Sequence, residues 1–382
     1  MNPRDSIGGE SFDQRLAAQL KDLDQQALRR RLPDPPAPNA LNFSSNDYLD
    51  LARDPQVVAA AHAALDAFGV GSTASRLVCG SLPPHTELEA AIAASKGTEA
   101  ALVFGSGYLT ACGIFSALTS RTGRHDTVVA DKLVHACVID AVKLSGAKLM
   151  RFRHNDVEHA EEQLARVARE AQSGGSGSAI LVTESVFSMD GDRAPLDELR
   201  SVAAQYGARF MVDEAHSAGI LPSARADILM GTLSKSYGGY GGYVAGSREL
   251  CAWLVNRARS FIYTTAPPPA TMAAATVAIK LARDGRGVAL LERAAAFRSR
   301  LHHAGLDTGA SASQIVPVMI GDNQRALDLA TRLRERGIHV VAIRPPTVPA
   351  GTARLRFSIT LAHSASDLER AADVLIEEME QA

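Results

Sequence analysis

Lys235 stands in Gly231-Thr-Leu-Ser-Lys-Ser-Tyr-Gly-Gly239, directly after an apolar run. A lysine whose amine is buried becomes less basic and can form a Schiff base with a carbonyl compound. Small neighbours, with Gly238, Gly239, Gly241 and Gly242 just behind, leave room for a large planar ligand. Upstream, Asp213 closes the run Arg209-Phe-Met-Val-Asp213, and His216 follows within Asp213-Glu-Ala-His216. Asp213 is also suited to cap a helix. The order Asp, His, Lys nonetheless meets the needs of a pyridoxal phosphate (PLP) site. A carboxylate keeps the pyridine nitrogen protonated, a donor stands near the phenolate oxygen, and a lysine takes the aldehyde.

Phe104-Gly-Ser-Gly-Tyr-Leu-Thr-Ala111 falls one glycine short of the dinucleotide fingerprint, with Thr110 in the last glycine position. A glycine-rich turn opening a helix still offers backbone N–H groups and a helix dipole to a phosphate. Thr232, closing another apolar run, can add a hydroxyl to the same phosphate. His135 follows a strand end and can stack on a flat ring, although a lone histidine is commonly structural. Ser188, before Met189-Asp190-Gly191, is either a donor to the ligand or a turn former.

These residues need a frame. Ala100–Phe104, Asp126–Ala130, Ala179–Thr183, Arg209–Asp213 and Ile228–Thr232 read as short buried strands with polar ends. Helical segments such as Val157–Ala171 and Pro195–Tyr206 lie between them. That alternation predicts an α/β fold with a mainly parallel sheet, whose ligands bind beyond the carboxyl ends of the strands. An amphipathic helix is expected from Ser11 to Arg31, ended by Pro33, Pro35, Pro36 and Pro38. Gly174-Gly-Ser-Gly-Ser178 reads as a surface loop. After Pro267-Pro-Pro269 a helix over Ala270–Ala282 and a smaller α+β unit follow. The expected division is residues 1–45 as helix and connector, 46–268 as the large domain, and 269–382 as the small C-terminal domain.

Composition excludes other classes. Among 382 residues, 46% are hydrophobic and 21% charged, the balance of a folded globular chain. A formal charge of −2 suggests neither nucleic-acid binding nor a basic membrane anchor. Cys79, Cys112, Cys137 and Cys251 are scattered, which argues against a zinc site or a disulfide framework; no metal is expected. MNPRDSIGGESFDQR lacks the apolar stretch of a signal peptide, and no run reaches the ~18 apolar residues of a membrane span. The expected setting is cytoplasmic.

The runs NFSSNDYL, FGSGY, ESVFSMDGD, DEAHSAG, GTLSKSYGGYGGY, AIRPPTVPAGTARLR and LAH resemble those of the α-oxoamine synthases, in the same order. The resemblance extends from about Leu41 to the C-terminus. It implies PLP as cofactor and the type I (aspartate aminotransferase) fold of PLP-dependent transferases. It assigns Lys235 to the Schiff base, Asp213 to the pyridinium, His216 to the phenolate oxygen, His135 to ring stacking and Ser188 to a bond near the ring oxygen. Gly107, Tyr108 and Thr232 would hold the phosphate, joined by Thr264 or Thr265 of a partner chain, since the family acts as homodimers with shared sites. Arg29, Asn46, His135, Thr347 and Arg356 match substrate contacts, Arg356 gripping an amino-acid carboxylate. LRRRLP and AIRPPTVPAGTARLR are most similar to members that join L-alanine to a pimeloyl thioester, borne by coenzyme A or acyl-carrier protein. Two departures stand out. Ile220–Ala226 is shorter than the family's usual segment, and prolines replace a hairpin before Asn42. Other members of the family, acting on a different amino acid or acyl chain, are the alternative. A catalytically silent relative would lack the lysine, aspartate or histidine, and all three are here.

Overall fold

The computed structural model describes residues 11–32, 35–119, 126–172 and 178–381. Pro33 and residues 174–177 of the glycine-serine run lie outside the described residues. The first strand, β1 (Leu41–Asn42), is followed by β2 (Ala100–Phe104), β3 (Thr127–Asp131), β4 (Lys148–Phe152) and β5 (Ala179–Glu184). Next come β6 (Arg209–Asp213), β7 (Ile228–Thr232) and β8 (Gly242–Gly246). The tail adds β9 (Ile315–Gly321), β10 (Ile338–His339), β11 (Val341–Ile343) and β12 (Ala353–Ser358).

β2 to β8 form one seven-stranded sheet in the order β2-β8-β7-β6-β5-β3-β4. β8 runs antiparallel to both neighbours, and the other pairs are parallel. Every residue of β3, β7 and β8 is buried, as a sheet covered on both faces requires. Side chains alternate between two cores: Val129 packs on one face, Val128 and Ala130 on the other.

Two of these strands were missing from the apolar runs of the sequence. β4 is an edge strand whose Arg151 is exposed, so its apolar run is broken; β8 begins and ends in glycine. The glycines that precede and open β8 serve the chain rather than a ligand. A Cβ on Gly242 would stand 2.6 Å from Gly107 N, and one on Gly238 2.3 Å from Ala52 N.

β11, β12 and β9 form a smaller antiparallel sheet. β1 pairs in parallel with β10, so the segment before Asn46 is fastened to the tail. Phe43 deepens that attachment by packing on Phe297, Phe357 and His363. One continuous core passes from the large sheet into the small unit. The helix Pro269–Leu281 packs against helices Pro55–Phe68 and Pro83–Lys96 of the large unit.

The N-terminal helix is shorter than its pattern suggested, Phe12–Gln25, because Ala27 turns to a positive φ of 51° just beyond it. Ser11 and Gln14 close its start as a capping box, and none of its residues is buried.

Candidate active site

The carboxyl ends of the strands build the site. β5 and β6 end side by side in Glu184 and Asp213, which are register partners, and β7 ends in Thr232. A cavity of about 580 Å³ lies beyond them. Gly107, Tyr108, His135, Asp213, His216, Thr232 and Lys235 all line it, together with Glu184, Cys137 and Ser234. The lysine amine and the aspartate carboxyl therefore face one shared space.

Local structure explains how each residue arrives there. Ser106 caps the helix Gly107–Leu118 by accepting from Leu109 N at 3.2 Å. First-turn N–H groups have no partner within their helix, and here two of them belong to Gly107 and Tyr108 on the cavity wall. Where the dinucleotide pattern lacks its last glycine, Thr110 folds its hydroxyl back to Ser106 O at 2.8 Å. His135 caps the helix Ala136–Ser145: its Nδ1 accepts from Cys137 N at 3.2 Å, and its own N–H donates to Glu184 Oε1 at 2.5 Å. Asp213 Oδ1 accepts from Ala215 N at 2.9 Å, so one oxygen serves the local turn expected of it while the residue still lines the cavity. Its neighbour Glu214 turns to the other side, into a buried ion pair with Lys96 at 2.6 Å, and accepts from Ala224 N.

The electrostatics follow from crowding. Burial raises Asp213, and Lys235 opposes that shift. Burial raises Glu184 well above the usual carboxyl range, and the neighbouring Asp213 adds to it. Burial lowers the Lys235 amine, against the pull of Asp213 and Glu184. His216 is pushed well below its ordinary value by burial, then by Lys235 and Arg356. Its Nε2 stands 2.7 Å from Lys235 Nζ.

Arg356 lies behind this histidine, buried on β12. Its Nε donates to Ser188 O at 2.6 Å, while Nη1 donates to Ser358 Oγ at 2.6 Å and to Asn46 Oδ1 at 3.3 Å. Its Nη2 donates to Tyr48 Oη at 3.2 Å. All of these acceptors are neutral, which leaves a buried cation without a counter-charge among the described residues.

Other expected residues lie elsewhere. Ser188 lines a neighbouring cavity with Thr347, Arg354 and Asp190. Thr347 also lines an open groove with Arg29, Arg30 and Arg344. There Arg29 pairs with Asp24 at 2.6 Å, and it is Arg30 that donates to Thr347 Oγ1, at 2.8 Å. Thr264 is half-buried and Thr265 exposed, beyond the short helix Arg259–Ile262. Sequence reasoning passed over Glu184 and Tyr48. Glu184 closes its apolar run as Asp213 does, a signal that was available. Tyr48 carried none.

The family model for aminotransferase class I and II matches residues 38–375. The chain belongs to that family. It is 48% identical over 383 residues to the 8-amino-7-oxononanoate synthase of Methylobacterium sp. (strain 4-46), covering 96% of this chain and 97% of that one. A solved serine palmitoyltransferase from S. paucimobilis, with bound PLP–myriocin aldimine, superposes with a TM-score of 0.88 at 30% identity, over 97% of this chain and 99% of its own. An 8-amino-7-oxononanoate synthase from Francisella tularensis superposes at 0.74 with 27% identity, over 90% and 99%. The chain is an α-oxoamine synthase with the type I fold, and the sequence resemblance to that family holds. No helix among the described residues is long and apolar enough to cross a membrane.

Proposed function

We propose that this protein is an 8-amino-7-oxononanoate synthase, a PLP-dependent acyltransferase of biotin synthesis. It joins L-alanine to the pimeloyl group of a thioester, on coenzyme A or acyl-carrier protein, with release of the thiol and CO2. The observation that carries this reading is the shared cavity of Lys235 and Asp213, which offers an amine and a carboxyl to the two ends of one flat ring. The relatives supply the choice of substrates.

PLP, when bound, supplies an aldehyde for the amine and a ring that accepts electrons. The rest falls to the chain. Gly107 and Tyr108 N–H groups would hold the phosphate, with Thr232 beside them, its hydroxyl donating to Gly241 O at 2.9 Å, and Thr264 or Thr265 reaching in from a second copy. Asp213 would keep the ring nitrogen protonated, His135 would cover one face, and His216 would bond toward the ring oxygen, whereas Ser188 lines the neighbouring cavity and its carbonyl holds Arg356. Arg356 takes the alanine carboxylate, which gives it the counter-charge it lacks, and Asn46 orients the same group. The Lys235 amine, lowered by burial and facing the same cavity, would be the base that takes and returns a proton at the alanine Cα. Arg29 and Thr347 border the path of the acyl thioester.

We infer a homodimer in the cytoplasm. Val70 and Val78 are 82% and 77% exposed and Tyr263 72%, an apolar surface that a second copy would cover.

The test is product mass after incubation with L-alanine and pimeloyl-CoA or pimeloyl-acyl-carrier protein, set against glycine, serine and longer acyl chains. 8-Amino-7-oxononanoate is the expected product. Its absence, with turnover of another pair, would favour a different α-oxoamine synthase. The short Ile220–Ala226 segment speaks for that second reading, because an open cavity of about 710 Å³ lies beside Ile220, Leu221 and Tyr237.

A further inference from the structure

Two acids follow one another at the end of β6 and face opposite ways. Asp213 lines the cavity of Lys235, whereas the carboxylate of Glu214 meets Lys96 Nζ at 2.6 Å. The side chains of Lys96 and Glu214 are 4% and 1% exposed, and none of the roles assigned above uses either. The same carboxylate ties down the short segment after it: Oε1 accepts from Ala224 N at 2.7 Å and from Ser223 Oγ at 2.9 Å. Its backbone is fixed to β7, Glu214 N donating to Met230 O at 2.7 Å. Lys96 is the last residue of the helix Pro83–Lys96, so the ion pair fastens that helix to the turn carrying Asp213 and His216.

Charge adds to this geometry. Burial is the main cause that raises Asp213, and the charge of Glu214 adds to it. An ammonium 2.6 Å from Glu214 offsets that charge at its source. Without it, a buried carboxylate is left unpaired one residue from Asp213, and it either repels an anionic cofactor or moves to find a partner. We propose that Lys96 is a positioning residue for the cofactor: paired with Glu214, it keeps the second acid out of the cavity and holds the turn from which Asp213 reaches the ring nitrogen. Lys96 itself touches neither cofactor nor substrate. The inference rests on the part given to Asp213 in the proposed function, and not on the choice of amino acid or acyl chain.

The experiment follows PLP binding by the full chain, purified as the holoenzyme, through the visible absorbance of the bound form over a range of free PLP. Urea unfolding of each variant is measured beside it. Lys96→Met keeps the bulk and removes the charge, and its PLP Kd is expected to rise about tenfold. Lys96→Met/Glu214→Gln leaves no unpaired charge, and its Kd is expected within about threefold of wild type. A Lys96→Met protein that is less stable in urea yet binds PLP with the wild-type Kd would make the pair a structural brace only, and overturns the proposal. So does a double variant that binds as weakly as the single one. If Lys96→Met does not fold, Lys96→Gln, which can still bond to Glu214, takes its place with the same expected rise. Asp213→Asn separates the two layers. A wild-type Kd there would refute the part given to Asp213 and the proposal with it; a loss there with none in Lys96→Met refutes the proposal alone.

Discussion

His154 and His216 are both held by hydrogen bonds on each ring nitrogen, and they end in opposite states. His154 lies between two carboxylates, with Nδ1 3.0 Å from Asp131 Oδ1 and Nε2 2.8 Å from Asp192 Oδ2. Burial works against its charge, but the bonds to Asp131 and Asp192 outweigh it and push the ring up to about 10. His216 lies between Lys235 and Tyr48, and burial together with Lys235 and Arg356 keeps it neutral. The sign of the neighbouring charges, more than depth, separates a clamp from a chemical group. His154 is the clamp. Asp131 also accepts from Leu133 N at 2.7 Å, on the way to His135. Asp192 closes the turn that contains Ser188, whose carbonyl holds Arg356. One imidazolium thus braces both walls of the site.

The sharpest way to break the contrast is to remove the cation beside His216. Lys235→Ala is expected to cut product formation by at least about a thousandfold, roughly 4 kcal/mol of barrier. A variant retaining a tenth of wild-type turnover would show that the amine is not the reacting group. On the other side, His154→Gln leaves two buried carboxylates facing a neutral amide. The expected loss is about 3 kcal/mol of stability, read from urea unfolding. A loss below about 0.5 kcal/mol would place His154 among ordinary surface residues.

Much of the chemical centre was legible because it is local. Lys235, Asp213 and His216 lie close in the chain, and the strands that carry them are short apolar runs ending in polar residues. The glycine turn at Gly107 reads the same way. What stayed hidden depends on distant contacts. Tyr48 meets His216 across 168 residues, and His154 meets Asp192 across 38. No periodicity reports either pairing. The Arg29–Arg31 run shows another limit: the resemblance points to Arg29, but in the fold Arg29 pairs with Asp24 and it is Arg30 that reaches Thr347. β8 hid because its glycines suit a close approach equally well to a ligand or to a neighbouring helix, and here the helix start at Gly107 occupies the space.

A smaller effect follows from the charge on His154. Its folded value of about 10 stands above the ~6.5 of an unfolded histidine. The stabilisation it brings is therefore complete below pH ~6.5 and lost as pH rises through about 10. The unfolding free energy of wild type, minus that of His154→Gln, should shrink across this window by roughly 2 kcal/mol, less than the full shift because part of the ring is in contact with solvent. His216, already neutral, contributes no such slope. A difference that is flat with pH would mean that His154 is neutral too.

The finest cut keeps the histidine and removes one carboxylate. Asp192 Oδ2 accepts from both His154 Nε2 and Asn155 Nδ2, whereas Asp131 retains the other ring nitrogen. In Asp192→Asn the side-chain oxygen can still accept one of those bonds, so the expected cost is only about 1 kcal/mol. The more telling readout is direction. With a single carboxylate left to favour the charged ring, the fall in stability should still begin near pH ~6.5 but end at lower pH and be smaller than in wild type. An unchanged profile would assign the clamp to Asp131 alone, and the two-sided contrast with His216 would reduce to one charged contact.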